Sequence, residues 1–192
     1  MKAKSLIRIT GDIMQTFDTR VEEEKRFEIP VDDFKKAIFN RVITMYKAIE
    51  IEQVWFGHGP NYNARIRQTR IRYNHKIPST MTSNDADIMN FLWEHTVKHH
   101  ITKTADYEIT TELTKEDYNL LKKIYKEEKV QTKVRFYLKQ NNGENEDYII
   151  TADFPTDNPD ICWIEFETKP EITEPQKFKK PEWIKVNPKD DK

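Results

Sequence analysis

Charged residues occupy alternate positions in segments of this chain that otherwise have the composition of β-strands. Glu22, Glu24 and Arg26 follow one another two residues apart, and Glu165 and Glu167 repeat this spacing near the other end of the chain. Side chains two residues apart point to the same face of a strand. The charged faces are either the solvated side of an open sheet or the lining of a closed barrel, whose charges would need a polyanion and metal ions to compensate them.

Pairs of basic residues show the same alternation in the middle of the chain. Arg65 alternates with Arg67, and Lys133 alternates with Arg135, with apolar residues at the intervening positions. The formal net charge of the whole chain is only −1, so the chain has no general attraction to anions. An anion-binding surface must therefore come from local clusters such as these.

Length and composition are those of one folded domain. The 192 residues include 36% hydrophobic and 11% aromatic residues, which can form a core without disulfides. We predict a single domain over residues 1–192, with its core at about 20–185 and a flexible tail at 186–192. The four glycines form neither a GxxxxGK nor a GxGxxG motif, which excludes the glycine-rich phosphate loops.

The single cysteine, Cys162, has aromatic and aliphatic neighbours, which predicts a buried, unreactive thiol in a reducing compartment. The N-terminal residues lack the apolar run of a signal peptide, and no segment is apolar enough to span a membrane. We therefore expect a cytoplasmic protein that does not bind membranes.

Hydrophobic periodicity predicts a mixed α+β fold. Helices are expected at 31–42, from about residue 83 to residue 98, and after Thr114, whose hydroxyl precedes acidic residues. Asn141-Asn142-Gly143 predicts a hairpin turn, and Trp183 and Ile184 are expected to dock the C-terminal segment. Strands are expected at 20–29, 49–56, 63–73, 101–113, 129–138, 147–154 and 161–168.

Opposite charges on neighbouring strand faces suit a particular kind of ligand. Arginine binds phosphate oxygens through its forked guanidinium group, and lysine adds a compact positive charge. Carboxylates bind Mg²⁺ or Mn²⁺, which in turn bridges phosphate oxygens. A surface with both kinds of residue can therefore hold a polyphosphate together with a divalent cation and polarise phosphorus for attack by water or a hydroxyl group.

These segments resemble, in their order, the motifs of the CYTH or triphosphate tunnel metalloenzyme superfamily. Glu22-Glu23-Glu24-Lys25-Arg26 resembles the ExExK strand of that superfamily, and Glu165-Phe166-Glu167 resembles its ExE strand. The resemblance covers about residues 21–184, and each motif is weak alone but strong as part of an ordered series. The further matches are Arg65-Ile66-Arg67, Ile101-Thr102-Lys103, Asp106-Tyr107-Glu108, Lys133-Val134-Arg135-Phe136-Tyr137, the strand at 148–154 with Asp153, and Pro181-Glu182-Trp183.

The resemblance implies a closed antiparallel β-barrel of about eight strands with flanking helices, whose interior is a triphosphate tunnel. It implies a metal-dependent phosphohydrolase that acts on triphosphate-containing substrates, such as inorganic tripolyphosphate, a nucleoside triphosphate or thiamine triphosphate. The implied cofactor is Mg²⁺ or Mn²⁺. The implied catalytic residues are Glu22, Glu24, Glu165 and Glu167, and these four bind the metal together with Asp153. The implied phosphate-binding residues are Arg26, Arg65, Arg67, Lys103, Lys133 and Arg135.

Arg26, Asp106 and Thr110, the last standing where the superfamily has a second acidic residue, are among the positions that depart from these motifs. Arg26 replaces the lysine of the first strand, and arginine cannot give up a proton for catalysis. Asp106 stands where the superfamily has an arginine. Two other functions therefore remain open: a class IV-type adenylate cyclase, which makes cyclic AMP from ATP, and a non-catalytic protein that binds nucleotides or the 5′-triphosphate end of RNA. The chain is compatible with a monomer or a homodimer.

Other charged residues near these motifs can be interpreted as exposed surface residues that do not belong to a site. Arg70 and Arg72 extend the basic series of the third motif, either as an exposed strand end or as additional phosphate or RNA contacts. His95 and His99 lie four residues apart in a predicted helix, but without an HExxH motif they are interpreted as a surface cluster.

Overall fold

The computed structural model describes residues 18–59, 61–72, 91–100, 105–125, 130–172 and 176–186. Within these ranges, the side chains of residues 18–23, 58, 72, 100 and 105–107 are not described. The predictions for Lys103, for the start of the helix at about 83 and for the tail at 187–192 therefore lie outside the described residues.

The described residues form eight strands and two helices. The helices are α1 (Val31–Phe39) and α2 (Lys115–Ile124). The strands are β1 (Asp18–Pro30), β2 (Ile43–Gly59), β3 (Tyr62–Arg72), β4 (Phe91–His100), β5 (Ala105–Glu112), β6 (Val130–Gln140), β7 (Tyr148–Pro155) and β8 (Ile161–Thr168).

All neighbouring strands pair antiparallel, in the order β1-β5-β4-β3-β2-β6-β7-β8. β1 pairs with two strands, because residues 18–23 face β5 and residues 24–30 face β8. An eight-stranded antiparallel sheet with two helices confirms the predicted α+β class.

One face of the sheet forms the main hydrophobic core. Along β6, Val134, Phe136 and Leu138 are buried, whereas the residues between them are partly exposed on the other face. Phe136 and Phe154 meet edge to face, with ring centroids 5.4 Å apart. Full burial of each such ring contributes about 2–3 kcal/mol to folding. This apolar face fixes the register of the sheet and thereby the positions of the charges on its opposite face.

Helix α1 covers this core. It follows Pro30 directly, and Asp32 and Asp33 lie in its first turn, where carboxylates stabilise the positive end of the helix dipole. Its buried residues include Phe34, which packs edge to face on Phe154 at a centroid distance of 5.0 Å. The helix ends at Phe39, three residues earlier than predicted.

Helix α2 contributes Tyr118 to a second, smaller cluster, in which Tyr118 packs with Val54 of β2 and Ile66 of β3. The predicted cap is confirmed, because the Thr114 hydroxyl accepts a hydrogen bond of 3.1 Å from the Asp117 backbone N–H. The hydrophobic periodicity of this helix also predicts that Ile124 faces inward, and that prediction is wrong, because the Ile124 side chain is 60% exposed.

The helix predicted to end at residue 98 is wrong for residues 91–98, which belong to strand β4. β4 pairs with β3 on one side and with β5 on the other. Trp93, Thr96 and Val97 favour strands, and the backbone is paired with β3 over residues 91–99 and with β5 over residues 94–100. Tertiary pairing therefore overrides the apolar spacing that favoured a helix.

The predicted turn at Asn141-Asn142-Gly143 joins β6 to β7, and Gly143 has a φ of 74°, which glycine adopts without strain. The C-terminal segment docks as predicted, since Ile184 is buried in the main core and Trp183 packs against it. No helix within the described residues has the length and apolar character needed to cross a membrane.

Candidate functional site

Strand pairing places most of the predicted site residues on the sheet face opposite the main core. Arg26 lies directly across from Glu165, and Glu24 lies across from Glu167. Partners that face each other in an antiparallel pair share one face of the sheet. The registers of the other strand pairs extend this face across the sheet. We call it the charged face, and it contains Glu24, Arg26, Arg65, Arg67, Lys133, Arg135, Asp153, Glu165 and Glu167.

Asp153 is the most deeply buried residue of the charged face, with a fully buried side chain. It accepts two hydrogen bonds from Arg135, from Nε to Oδ1 at 2.6 Å and from Nη2 to Oδ2 at 2.7 Å. Lys133 also donates to its Oδ2. Although burial alone would raise the pKa of Asp153, these two cations hold that pKa well below its ordinary value. The carboxylate is therefore ionised and fully engaged by cations.

Glu165 bridges two arginines on different strands. Its Oε1 lies 3.5 Å from Nε of Arg26 on β1, and its Oε2 accepts a hydrogen bond of 2.5 Å from Nη2 of Arg135 on β6. Although burial alone would lower the pKa of Arg135, Asp153 and Glu165 hold it well above its ordinary value. The Arg26 guanidinium also lies over the ring of Trp163, 3.9 Å from the ring centroid.

Arg67 is less well compensated than these arginines. Among the described residues, its guanidinium makes one hydrogen bond, from Nη2 to Oε1 of Gln53 at 3.5 Å, and its buried Nε has no hydrogen-bond partner. Burial, together with the positive charges of Arg65 and Arg135, lowers the pKa of Arg67 to about 9. An anion that reached Arg67 would supply the missing acceptor.

The positive charge of Lys133 is also only partly compensated by neighbouring anions, but to a smaller degree than that of Arg67. Burial lowers the pKa of Lys133 to about 8, and the attraction of Asp153 offsets only part of that effect. Lys133 and Arg67 both belong to the residues predicted to bind phosphate. Both are expected to hold their positive charge more firmly when an anion lies beside them.

A second ionic cluster on the charged face joins Arg65, a predicted site residue, to Glu108 and Lys98, which were not predicted as site residues. Glu108 lies 2.9 Å from Nζ of Lys98 and 3.8 Å from Nη2 of Arg65, and it accepts a hydrogen bond of 3.0 Å from the Thr110 hydroxyl. The alternation of Glu94, Thr96 and Lys98 within β4 was the signal for this cluster. It was missed because that segment was interpreted as a helix.

The predicted metal ligands lie on β1, β7 and β8. Glu22 lies on β1 two residues before Glu24, but its side chain is outside the described residues. Among the side chains that are described, no group of three or more carboxylates, imidazoles or thiolates could hold a metal ion. Glu24 and Glu167 nevertheless face each other across β1 and β8, and their hard oxygen donors suit Mg²⁺ or Mn²⁺. The donor chemistry of this pair, with Glu22 beside it in sequence, fits a divalent cation.

Arg70 and His95 lie on the opposite face of the sheet from the charged face. Arg70 is an odd number of residues from Arg67, so it does not extend that basic series, and it pairs with Glu50 instead. His95 stacks on Phe56, with ring centroids 5.6 Å apart, in a strand and not in a helix. Burial lowers the pKa of His95. Neither residue belongs to the candidate site.

No protein-family model and no curated protein matches the sequence. Among solved structures, the PH1819 protein from Pyrococcus horikoshii OT3 has a TM-score of 0.53 and 18% identity, over 79% of this chain and 80% of that chain. The PH1012 protein from the same organism has a TM-score of 0.50 and 19% identity, over 79% of this chain and 80% of that chain. A chain of the Schizosaccharomyces pombe Mediator head module has a TM-score of 0.50 and 11% identity, over 82% of this chain and 86% of that chain. At these identities the likeness concerns the fold alone.

Proposed function

We propose that this protein is a metal-dependent triphosphatase of the CYTH or triphosphate tunnel metalloenzyme superfamily. The ordered motifs of the sequence support this assignment, since the charged motifs within the described residues lie on β1, β3, β5, β6, β7 and β8, and their described site residues share one face of the sheet. The likeness to solved structures adds no activity, because one fold hosts many functions. Support for the proposed activity must therefore come from the chemistry of the charged face.

The observation that carries the proposal is the state of Arg67. Its side chain is partly buried near Arg65 and Arg135. Among the described residues, its buried Nε has no hydrogen-bond partner and its guanidinium makes one long hydrogen bond, to Gln53. The charges of Glu94 and Asp153 offset only part of the effect of burial. A buried, poorly compensated cation is costly to folding unless a ligand compensates it. A polyphosphate, which carries several negative charges and many acceptor oxygens, would supply that compensation for Arg67 and its neighbours together.

We further propose that the sheet closes into a barrel, so that the charged face lines a tunnel. The pairing of β1 with both β5 and β8 supports this closure, because it joins the two ends of the strand series. Water is partly excluded from such an interior, which strengthens every interaction between phosphate oxygens and the surrounding cations.

Each group on the charged face receives a role in this proposal. The carboxylates of Glu22, Glu24, Glu165 and Glu167 would hold the Mg²⁺ or Mn²⁺, which polarises the phosphoanhydride when it is bound. Glu165 or Glu167 would orient the attacking water. Asp153, whose oxygens are occupied by Lys133 and Arg135, would fix those two cations and contribute less to metal binding than the sequence predicts. The phosphate chain would be held by Arg26, Arg65, Arg67, Lys103, Lys133 and Arg135.

A non-catalytic binder of nucleotides or of RNA 5′-triphosphate ends is the second candidate. Two observations favour it: the oxygens of both Asp153 and Glu165 are engaged by cations, and Arg26 cannot serve as a proton carrier. A binder needs the cations of the charged face but does not need its carboxylates to reach a metal or water.

Phosphate release separates these functions. Tripolyphosphate, ATP and thiamine triphosphate are incubated with the protein and with Mg²⁺ or Mn²⁺, and free phosphate and cyclic AMP are measured. We expect phosphate release that Glu24→Gln and Glu167→Gln abolish while the unfolding midpoints stay within a few degrees of the wild type. Binding of tripolyphosphate without turnover supports the binder, cyclic AMP supports the cyclase, and absence of both binding and turnover refutes the proposal.

A further inference from the structure

Glu165 is held at both of its carboxylate oxygens. Arg26 reaches Oε1 from the neighbouring strand, and Arg135 reaches Oε2 from two strands away on the other side. The exposed fraction of the side chain is 24% for Arg26, 14% for Arg135 and 13% for Glu165. The two guanidinium groups therefore enclose the carboxylate in a place where water compensates charge poorly.

Trp163 holds Arg26 in this arrangement. The guanidinium carbon of Arg26 lies 3.9 Å from the centroid of the Trp163 ring, and the indole N–H donates a hydrogen bond of 3.2 Å to Oε2 of Glu28. Glu28 faces Trp163 directly across β1 and β8. The indole is thus fixed at its edge, and its face presents Arg26 to Glu165.

A carboxylate in this position is a poor ligand for a cation. One oxygen accepts a hydrogen bond from Arg135 and the other is ion-paired with Arg26, and these two nearby positive charges repel any divalent ion. The same guanidinium groups are strong partners for phosphate oxygens, which can accept the hydrogen bonds now directed to Glu165.

We propose that the Arg26–Glu165–Arg135 bridge is a latch, which a polyphosphate opens by drawing the two arginines to its own oxygens and thereby making Glu165 available to the divalent cation. This inference rests on the proposed function, because it assumes that a polyphosphate reaches the charged face. Trp163 acts as a positioning residue that keeps the latch closed in the free protein. Polyphosphate and cation then bind cooperatively, and each raises the affinity for the other by the same factor.

A double-mutant cycle with Mn²⁺ alone tests the latch without any polyphosphate. Mn²⁺ is titrated calorimetrically into the wild type, Arg26→Gln, Glu165→Gln and the double variant. We expect Arg26→Gln to bind Mn²⁺ about fivefold more tightly than the wild type, and the same change to have less than about a twofold effect in the Glu165→Gln background. A gain that persists in that background reflects simple loss of a positive charge and overturns the proposal. The absence of any gain overturns it as well.

Two further variants keep the test independent of net charge and of folding defects. Trp163→Leu removes the platform for Arg26 without removing a charge, and we expect it to tighten Mn²⁺ binding about threefold. Arg70→Gln is the matched control, because it removes an arginine that pairs with a carboxylate on the opposite face of the sheet. It is expected to leave Mn²⁺ affinity unchanged. Unchanged Mn²⁺ affinity in Trp163→Leu would refute the positioning role of Trp163.

Titration of tripolyphosphate in the presence of EDTA separates failure of the latch from failure of the proposed function. If the wild type binds no tripolyphosphate either in EDTA or with Mn²⁺ and releases no phosphate from it, the proposed function is refuted whatever the Mn²⁺ cycle shows. If tripolyphosphate binds but the Mn²⁺ cycle shows no coupling between Arg26 and Glu165, the latch alone is refuted.

Discussion

Arg135 donates two parallel hydrogen bonds to Asp153, of 2.6 and 2.7 Å, in the fork geometry that arginine forms with a carboxylate. Because Asp153 also accepts from Lys133, one buried carboxylate keeps two cations in place on the charged face. These cations are assembled in the folded protein before any anion binds. Pre-assembly of this kind reduces the reorganisation that accompanies ligand binding.

Replacement of Asp153 by Asn should destabilise the protein strongly. The change leaves Lys133 and Arg135 buried without their principal counter-ion, and breaking a buried pair in this way costs about 3–5 kcal/mol. The free energy of unfolding, measured by urea denaturation at pH 7, checks this expectation.

The control for this variant is Asp32→Asn, which removes an exposed carboxylate of α1 that pairs with Lys35 at 3.4 Å. An exposed pair of this kind contributes little, and we expect a change within about 0.5 kcal/mol. Equal losses of stability in the two variants would contradict the prediction that Asp153 stabilises the fold by compensating Lys133 and Arg135.

Tripolyphosphate affinity should fall as the pH rises above 8. Burial lowers the pKa of Lys133 to about 8, so this cation of the charged face becomes neutral within the accessible range. Loss of one charge-assisted hydrogen bond weakens binding about tenfold, which calorimetric titrations at pH 7 and pH 9.5 would detect. The negative charge of tripolyphosphate itself grows over this interval, so the ligand alone predicts the opposite trend. Constant affinity would exclude Lys133 from the phosphate site.

The stability of the free protein should change with pH in the opposite sense. The pKa of Lys133, about 8 in the folded protein, lies below its ordinary value of 10.5, so the unfolded chain binds more protons between these two values and stability rises with pH there. The pKa of Asp153 is lowered, so its stabilisation is present above about pH 4 and is lost as the pH falls through the folded pKa. Urea midpoints measured from pH 3 to pH 10 check both signs.

The Cys162 thiol should be inert in the folded protein. It is fully buried, and burial raises its pKa, so the reactive thiolate is scarce. Because it is the single cysteine of the chain, a thiol reagent reports on it alone. We expect no labelling in buffer within an hour and complete labelling in concentrated urea. Rapid labelling of the native protein would mean that the main core opens easily near β8.

The sequence predicts the charged face where alternation is regular. β8 was predicted at 161–168 and is observed at those residues, and Glu165 and Glu167 point away from Cys162 and Phe166 as the period of two requires. Arg26 was also assigned to the face of Glu24, and the structure places it across from Glu165. In these segments the alternation of charged and apolar residues is enough to predict which side chains lie on the charged face, because the apolar face of each strand fixes its register.

Other features depend on contacts that the sequence does not encode locally. The pairing of Glu108 with Lys98 requires β4 and β5 to be neighbours, whereas the apolar spacing of residues 91–98 predicts a helix. The engagement of Asp153 by Arg135 depends on the β6–β7 register. Arg70 was assigned to the basic series although an odd separation from Arg67 places it on the opposite face. Tertiary pairing decides the first two cases, and parity alone would have decided the third.

Arg67→Gln should stabilise the free protein and weaken its binding to polyanions. The variant removes a buried guanidinium whose pKa is lowered to about 9 by burial and by neighbouring arginines, and we expect a gain of about 1 kcal/mol in the free energy of unfolding. Tripolyphosphate affinity should drop at least about tenfold, because a charge-assisted hydrogen bond is lost. Arg70→Gln, on the opposite face, should leave affinity unchanged. If Arg67→Gln destabilises the protein and preserves affinity, Arg67 is a structural cation and the charged face does not bind phosphate through it.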